Sequence, residues 1–226
     1  MTQLDKDLAT MSILLDDQEQ EVRDEWAQKD IWYWLTHFVY TYDPHATESI
    51  RKFPPKEHIK IVLDTLLEKK RILLFKSRQL LQTWTFCAFF LWDALYKEGR
   101  ITVFQAKNQE KANVSNPLHL CGRAKFIYDH LPSNIQQEYP MITTKKPPFL
   151  YFPKTESYII GGSQSPQFAR QYTITGYLLD EMAFQERCMQ TLGGIIPTLS
   201  PDAFFVGLST VNRKNFFYRL LYDMPV

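Results

Sequence analysis

Between Arg71 and Leu95 the chain reads RILLFKSRQLLQTWTFCAFFLWDAL, and this stretch limits the fold more than any other. Ile72 to Phe75 is an apolar run of strand type, and Trp84 to Tyr96 is an apolar-rich helical segment. Between them lies a polar elbow, Lys76-Ser77-Arg78-Gln79-Leu80-Leu81-Gln82-Thr83. A strand, a basic elbow ending in a hydroxyl, and a helix make the geometry of a phosphate-binding loop. Backbone N–H groups and the positive end of the helix dipole converge there on an anion. The consensus for such a loop is G-x-x-x-x-G-K-[ST], and only its closing hydroxyl, Thr83, is present. The same stretch also reads as a buried strand and a buried helix joined by a cationic turn.

A chain of 226 residues, 45% hydrophobic, can bury one large core or one core with a small appendage. Lys and Arg number 26 against 25 acids, a net charge of +1 that does not mark a nucleic-acid binder. Cys87, Cys121 and Cys188 are scattered and read as thiols in a reducing compartment, not as a disulfide framework or zinc site. The start of the chain has no apolar signal region. Trp84 to Tyr96 is too short for a bilayer and runs into Lys97-Glu98-Gly99-Arg100. A soluble, intracellular chain with no membrane partner is expected.

Residues 1–29 are acidic-polar, with Met11, Ile13, Leu14, Leu15, Val22 and Trp26 suggesting one or two short helices. Asp30 to Tyr40 is aromatic, with Trp34, Leu35 and Phe38 at core-helix spacing. After Lys52-Phe53-Pro54-Pro55, a helix over Lys56 to Glu68 carries Ile59, Val62, Leu63, Leu66 and Leu67 on one face. Downstream come a strand over Ile101 to Ala106, a largely helical Lys107 to Leu131, and a Pro-bearing, basic connector over 132–150 with Lys145 and Lys146. Leu150 to Phe152 and Ser157 to Gly162 read as a hairpin pair, and Gln167 to Gln171 as a short helical turn.

The next strand, from Thr173, ends in Asp180-Glu181. Such a pair at a strand end can hold Mg²⁺ and polarise a water, or simply begin the helix expected over Met182 to Leu192. Ala203 to Leu208 is another buried strand, ending in Ser209-Thr210-Val211-Asn212, which reads as a phosphate sensor or as a turn. An aromatic helix over Asn215 to Tyr222 follows. The alternation of strands and helices indicates α/β with a mostly parallel sheet, its polar strand ends meeting on one edge.

Taken in order, KSRQLLQT, YLLDE and LSTVN resemble the ATPase domain of the large terminase subunit, the DNA-packaging motor of tailed bacteriophages. That family shows a basic loop of the type SRQ-x-G-K-[ST], then hydrophobic-DE, then a Ser/Thr-rich coupling motif. The flanks agree as well: Trp32 to Tyr42, Phe53-Pro54, Gly161-Gly162-Ser163, Arg170, and Met182-Ala183-Phe184. The resemblance implies a P-loop NTPase fold of the ASCE type, three layers around a mostly parallel sheet. A helical and aromatic appendage would occupy 1–50 and the ATPase core 51–226.

It further implies an Mg²⁺-dependent ATPase that drives double-stranded DNA into a procapsid, with ATP and Mg²⁺ as cofactors. Ser77, Arg78, Gln79, Leu80, Leu81, Gln82 and Thr83 would wrap the phosphates beside Lys76, with His58 near the adenine and Phe53 either stacked on it or simply part of the core. Thr83 and Asp180 would hold the metal and Glu181 would be the catalytic carboxylate. Ser209, Thr210 and Asn212 would couple hydrolysis to movement. Arg170 stands where a finger is offered to a neighbouring subunit, a device worth ~10³–10⁵ in rate, although an ordinary surface salt bridge suits it equally. Implied partners are duplex DNA, a ring of like subunits (a pentamer), the portal protein and the small terminase subunit, in the cytoplasm of an infected bacterium. The family's nuclease domain has no acidic cluster to represent it here, so no nuclease activity is expected.

The loop departs from the family's pattern. Leu81 and Gln82 stand where it has Gly and Lys, and Lys76 occupies the place used by deviant loops whose lysine comes first. The Leu81 Cβ disfavours the positive φ that glycine takes there. Gln82 therefore motivates a different reading, a non-hydrolysing assembly or docking module. A helicase-like ATPase shares the loop logic.

Overall fold

Asp30 begins the first aromatic helix. Its carboxylate accepts from the amides of Trp32 (2.7 Å) and Tyr33 (3.2 Å) and caps α2 (Ile31–Phe38). In the computed structural model, which describes residues 19–77, 80–108, 110–162, 173–210, 212 and 216–222, helical residues 19–29 (α1) precede it. A short antiparallel ribbon, β1 (Tyr40–Tyr42) and β2 (Ile50–Lys52), leads to Pro54-Pro55 and the expected amphipathic helix α3 (Glu57–Lys69), which buries Ile59, Leu63 and Leu66. The chain reverses at Lys70 (φ 64°), whose amide closes on the Leu66 carbonyl at 2.9 Å, and enters β3 (Arg71–Phe75).

Helix α4 (Gln82–Tyr96) is buried on every side except at Tyr96, as a helix apolar all round must be. Its one acid, Asp93, is fully enclosed and held by Lys97 Nζ (3.0 Å) and Arg100 Nε (3.1 Å). Strand β4 (Ile101–Gln105) follows. The segment predicted as largely helical beyond it forms only a 3₁₀ turn (Glu110–Ala112) and α5 (Leu120–Asp129). Local polar bonds explain the break. Asn113 Oδ1 accepts from the amides of Val114 (2.6 Å) and Ser115 (3.2 Å), and Asn116 Oδ1 accepts from Leu118 (2.8 Å) across Pro117. The Pro-bearing connector is structured, as α6 (Ser133–Glu138), β5 (Ile142–Lys145) and β6 (Pro148–Phe152). Strand β6 pairs antiparallel with β7 (Ser157–Gly162), the expected hairpin.

Strands β8 (Ile174–Leu179) and β9 (Leu199–Ser209) complete a seven-stranded sheet of order β3-β9-β8-β4-β7-β6-β5. The first five strands are parallel. One strand, β9, therefore separates the loop strand β3 from the Asp-Glu strand β8, the ASCE arrangement. Alternation sorts β8 and β9 between two cores. Leu178, Phe204, Val206 and Leu208 join the large cluster with α2, α3, α4 and α5. Tyr177, Leu179 and Phe205 join a smaller one with α7 (Cys188–Ile195) and α8 (Phe216–Tyr222) on the opposite face. Ala27, Trp34 and Leu35, from the segment expected as an appendage, lie in the large cluster, and Trp92 Nε1 donates to the Ala27 carbonyl at 2.8 Å. Among the described residues, no helix is long and apolar enough to cross a membrane.

Gly176 lets α4 lie close on the sheet. A Cβ there would sit 2.4 Å from Thr102 Oγ1 and 2.8 Å from the Phe90 ring.

Candidate functional site

The carboxyl ends of β3, β9, β8 and β4 meet on one edge, as open α/β sheets require of a ligand site. At the end of β3, the Lys76 amide donates to the Ser209 carbonyl of β9 at 3.0 Å. The Lys76 side chain turns across the edge: its Nζ donates to Thr83 Oγ1 at 2.7 Å and to Asp180 Oδ1 at 3.4 Å. Thr83 Oγ1 itself donates to Asp180 Oδ1 at 3.4 Å. Residues separated by 97 and 104 positions in sequence thus converge within hydrogen-bonding reach.

Helix α4 starts here, and Leu81 at its N-cap offers no side-chain cap bond. The first amides of the helix are therefore left for another acceptor. Leu81 adopts φ 57°, ψ 8°, the left-handed conformation that its Cβ disfavours. The backbone makes a glycine-type turn at a leucine. Gln82, in the lysine position, is 4% exposed, and its enclosed Oε1 has no hydrogen-bond partner among the described residues.

Asp180 and Glu181 are fixed by a network of which the sequence reading named only two members. Glu181 takes φ 52° and its amide donates to Asp180 Oδ1 at 2.9 Å. The Asp180 amide donates to the Gln105 carbonyl at 3.1 Å, and its carbonyl accepts from Gln185 Nε2 at 2.8 Å. Gln105 Nε2 donates to Gln185 Oε1 at 2.5 Å, while the Tyr177 hydroxyl donates to Gln105 Oε1. Burial pushes the Tyr177 hydroxyl above its ordinary range, which keeps it a donor.

Ser209 and Asn212 grip the peptide just past the acidic pair. Ser209 Oγ accepts from the Ala183 amide at 3.0 Å, and Asn212 Nδ2 donates to the Ala183 carbonyl at 3.0 Å. The Asn212 bond engages the Ala183 carbonyl, a backbone group that the expected helix over Met182 to Leu192 would use. The segment instead forms a 3₁₀ turn (Met182–Phe184), and α7 starts only at Cys188.

The edge thus brings together Lys76, Thr83, Asp180, Glu181, Ser209 and Asn212. Thr210 is half-buried beside them, while Ser77 and Leu80 are exposed. Arg78, Gln79 and Arg170, with the turn expected over 167–171, lie outside the described residues. Phe53 is not at the edge: it is 1% exposed and packed in the large core, with no open face for a base. His58 sits in the first turn of α3, its enclosed Nε2 without a partner among the described residues.

The donors fit the implied cofactors. A hydroxyl and a carboxylate oxygen side by side are the hard ligands Mg²⁺ takes when phosphates and water complete its shell. The Lys76 ammonium on both oxygens stands in for a cation. Uncapped amides of α4 and Lys76 suit phosphate oxygens.

On the far side of the acidic pair, a cleft of about 280 Å³ opens between the end of β4 and the start of α5. Lys107, Lys111, His119 and Arg123 line it opposite Asp180 and Glu181. Lys111 Nζ lies 3.8 Å from Glu181 Oε2, both side chains about half exposed.

No family model and no curated protein matches the chain. Solved structures do. The large terminase of bacteriophage HK97 superposes with a TM-score of 0.68 over 87% of this chain at 11% identity. The large terminase ATPase domain of Thermus phage P74-26 gives 0.54 over 66% at 18%, and that of another thermophilic phage's large terminase 0.58 over 75% at 12%. The chain has the fold of a phage large-terminase ATPase domain. It spans 40% of the HK97 chain, 62% of the P74-26 domain and 42% of the third structure.

Within this terminase fold, sequence reasoning missed Gln105, Tyr177 and Gln185 behind Asp180, and Lys111 beside Glu181. Lone glutamines and a strand tyrosine have no periodic signature. Their only legible signal was a polar Gln105 closing an apolar strand.

Proposed function

We propose that this chain hydrolyses ATP with Mg²⁺ and uses the cycle to move double-stranded DNA, as the motor domain of a phage large terminase. The observation that carries the reading is the meeting of Lys76, Thr83 and Asp180 within 3.4 Å at the edge where the loop strand and the Asp-Glu strand end. Mg²⁺, when bound, neutralises charge on the phosphates. Thr83 Oγ1 and the Asp180 carboxylate hold it there. Lys76 turns its ammonium from those oxygens to the phosphates, beside the loop backbone of 77–83, with Arg78 adding a second cation. Glu181 takes the proton of the water that attacks the terminal phosphorus as the bridging P–O bond breaks. Arg170 serves a neighbouring subunit.

Ser209 and Asn212, with Thr210, form the coupling motif, since they hold the peptide that follows Glu181. The division into an appendage over 1–50 and a core over 51–226 belongs to the same proposal. So do a ring of five subunits, the portal and small-subunit partners, and action in the host cytoplasm. DNA contact is electrostatic and salt-dependent, with exposed Lys145 and Lys146 at the β5–β6 turn, and Lys154, as its candidates.

The test is phosphate release from ATP with Mg²⁺ and duplex DNA, at protein concentrations that span assembly. Turnover is expected to rise with concentration and to fall at least ~10²-fold in Glu181→Gln and Lys76→Ala. A second reading, a non-hydrolysing docking module, is favoured by Gln82 in the lysine position. It prevails if the wild type neither binds nor hydrolyses nucleotide at any concentration.

A further inference from the structure

No described residue of the loop lines the cleft beside the acidic pair, although the two share Asp180. Lys76 and Thr83 reach Asp180 from the amino end of α4, whereas the cleft's opposite wall is built by β4's exit and α5. That wall is cationic, carrying Lys107, Lys111 and Arg123. His119 lines the cleft too; its Nδ1 and the Arg123 Nε are buried behind the cleft surface, without a hydrogen-bond partner among the described residues. Arg123 is set by packing: its guanidinium carbon lies 5.5 Å from the Trp84 ring centroid. A stacked guanidinium keeps its planar fork of N–H donors for an oxyanion. The amino end of α5 opens on the same space and adds to the field. On the other wall stand only carboxylates, Asp180 and Glu181, which repel an anion and drive it across.

We propose that this cleft is an oxyanion site that receives inorganic phosphate leaving the nucleotide site, with Arg123 and His119 as its donors. The origin of the phosphate rests on the motor reading; the binding site does not. Glu181 lies at the border of both spaces, so an anion released beside it has a cationic wall to move to. The space holds a phosphate with several waters, which suits a waiting site rather than a tight one.

Inorganic phosphate titrated into the nucleotide-free full chain, followed by calorimetry and ³¹P line width, tests this directly. Arg123→Gln is expected to weaken binding at least ~10-fold, His119→Ala severalfold, and Lys76→Ala less than twofold. Arg123→Lys, which keeps the charge and the stem over Trp84 but loses the fork, should fall between wild type and Arg123→Gln, and it guards against loss of fold. Binding that disappears with Lys76→Ala but survives Arg123→Gln puts the anion in the loop and overturns the proposal. Equal binding by all variants, or none by wild type at tens of millimolar phosphate, overturns it as well. Phosphate binding that depends on Arg123 in a chain without ATPase activity sinks the motor reading alone. Hydrolysis without Arg123-dependent phosphate binding sinks the cleft alone.

Discussion

Leu81 holds a backbone conformation suited to the residue it replaces. With φ 57° its Cβ is crowded against the backbone, at a cost of about 1–2 kcal/mol, and its side chain recovers part of that by packing on the large core. Leu81→Gly is therefore expected to leave stability within about 1 kcal/mol, relief of strain offsetting lost burial, while tightening the binding of an ATP analogue. Leu81→Val, β-branched at the same φ, should lose about 1–2 kcal/mol. Urea midpoints and a nucleotide titration read both. Equal destabilisation by the two substitutions would mean that packing, not backbone strain, governs the position. At this scale the sequence told much: Lys76 and Thr83 were named from the polar elbow, Asp180, Ser209 and Asn212 from strand ends, and the structure brings them to one edge. Phe53 takes the core role and not the adenine stack, a choice the sequence left open because a proline-flanked aromatic gives no sign of which way its ring turns. Gln105 and Gln185 were missed because their bond joins residues 80 positions apart and follows only from strand order.

Elements were legible where an apolar period or an apolar run was unbroken, the first in α3, the second in α4 and the parallel strands. They were misread where polar side chains competed for the backbone. Asn113 and Asn116 stop the helix predicted after β4, and Asn212 takes the Ala183 carbonyl that a helix directly after Glu181 would need. The contact between α4 and β8 has its own test at Gly176. A methyl there would meet Thr102 Oγ1 at 2.4 Å and Phe90 at 2.8 Å, so the strand or the helix must shift. Gly176→Ala is expected to lose about 1–3 kcal/mol in chemical denaturation, as overpacked cores do. Because β8 ends in Asp180 and α4 begins at the loop, the same shift should also weaken nucleotide binding. An unchanged midpoint would show that the two layers have slack between them.

Over the whole molecule, the two cores on either side of the sheet enclose all three cysteines. Burial pushes the Cys87 and Cys188 thiols up to about 12 and raises Cys121 well above its ordinary value. The folded chain should leave a thiol reagent such as DTNB unreacted, with labelling following the rate of opening. Rapid labelling of one thiol in the native state would reveal local opening of its core. The pH dependence has a definite sign. Unfolded thiols lose protons near 9.0 while folded Cys87 and Cys188 keep theirs to about 12, so stability is intact below 9.0 and declines as pH rises between those values.

Ser209 belongs to two partners at once. Its carbonyl holds the backbone of Lys76, and its hydroxyl holds the backbone of Ala183. The loop and the acidic turn are thus hung from one hinge pin, seated at the tip of an eleven-residue strand that is paired on both edges. Neither can swing away from the other without pulling that pin. A displacement at either one is carried along β9 into the sheet instead of being lost in side-chain motion.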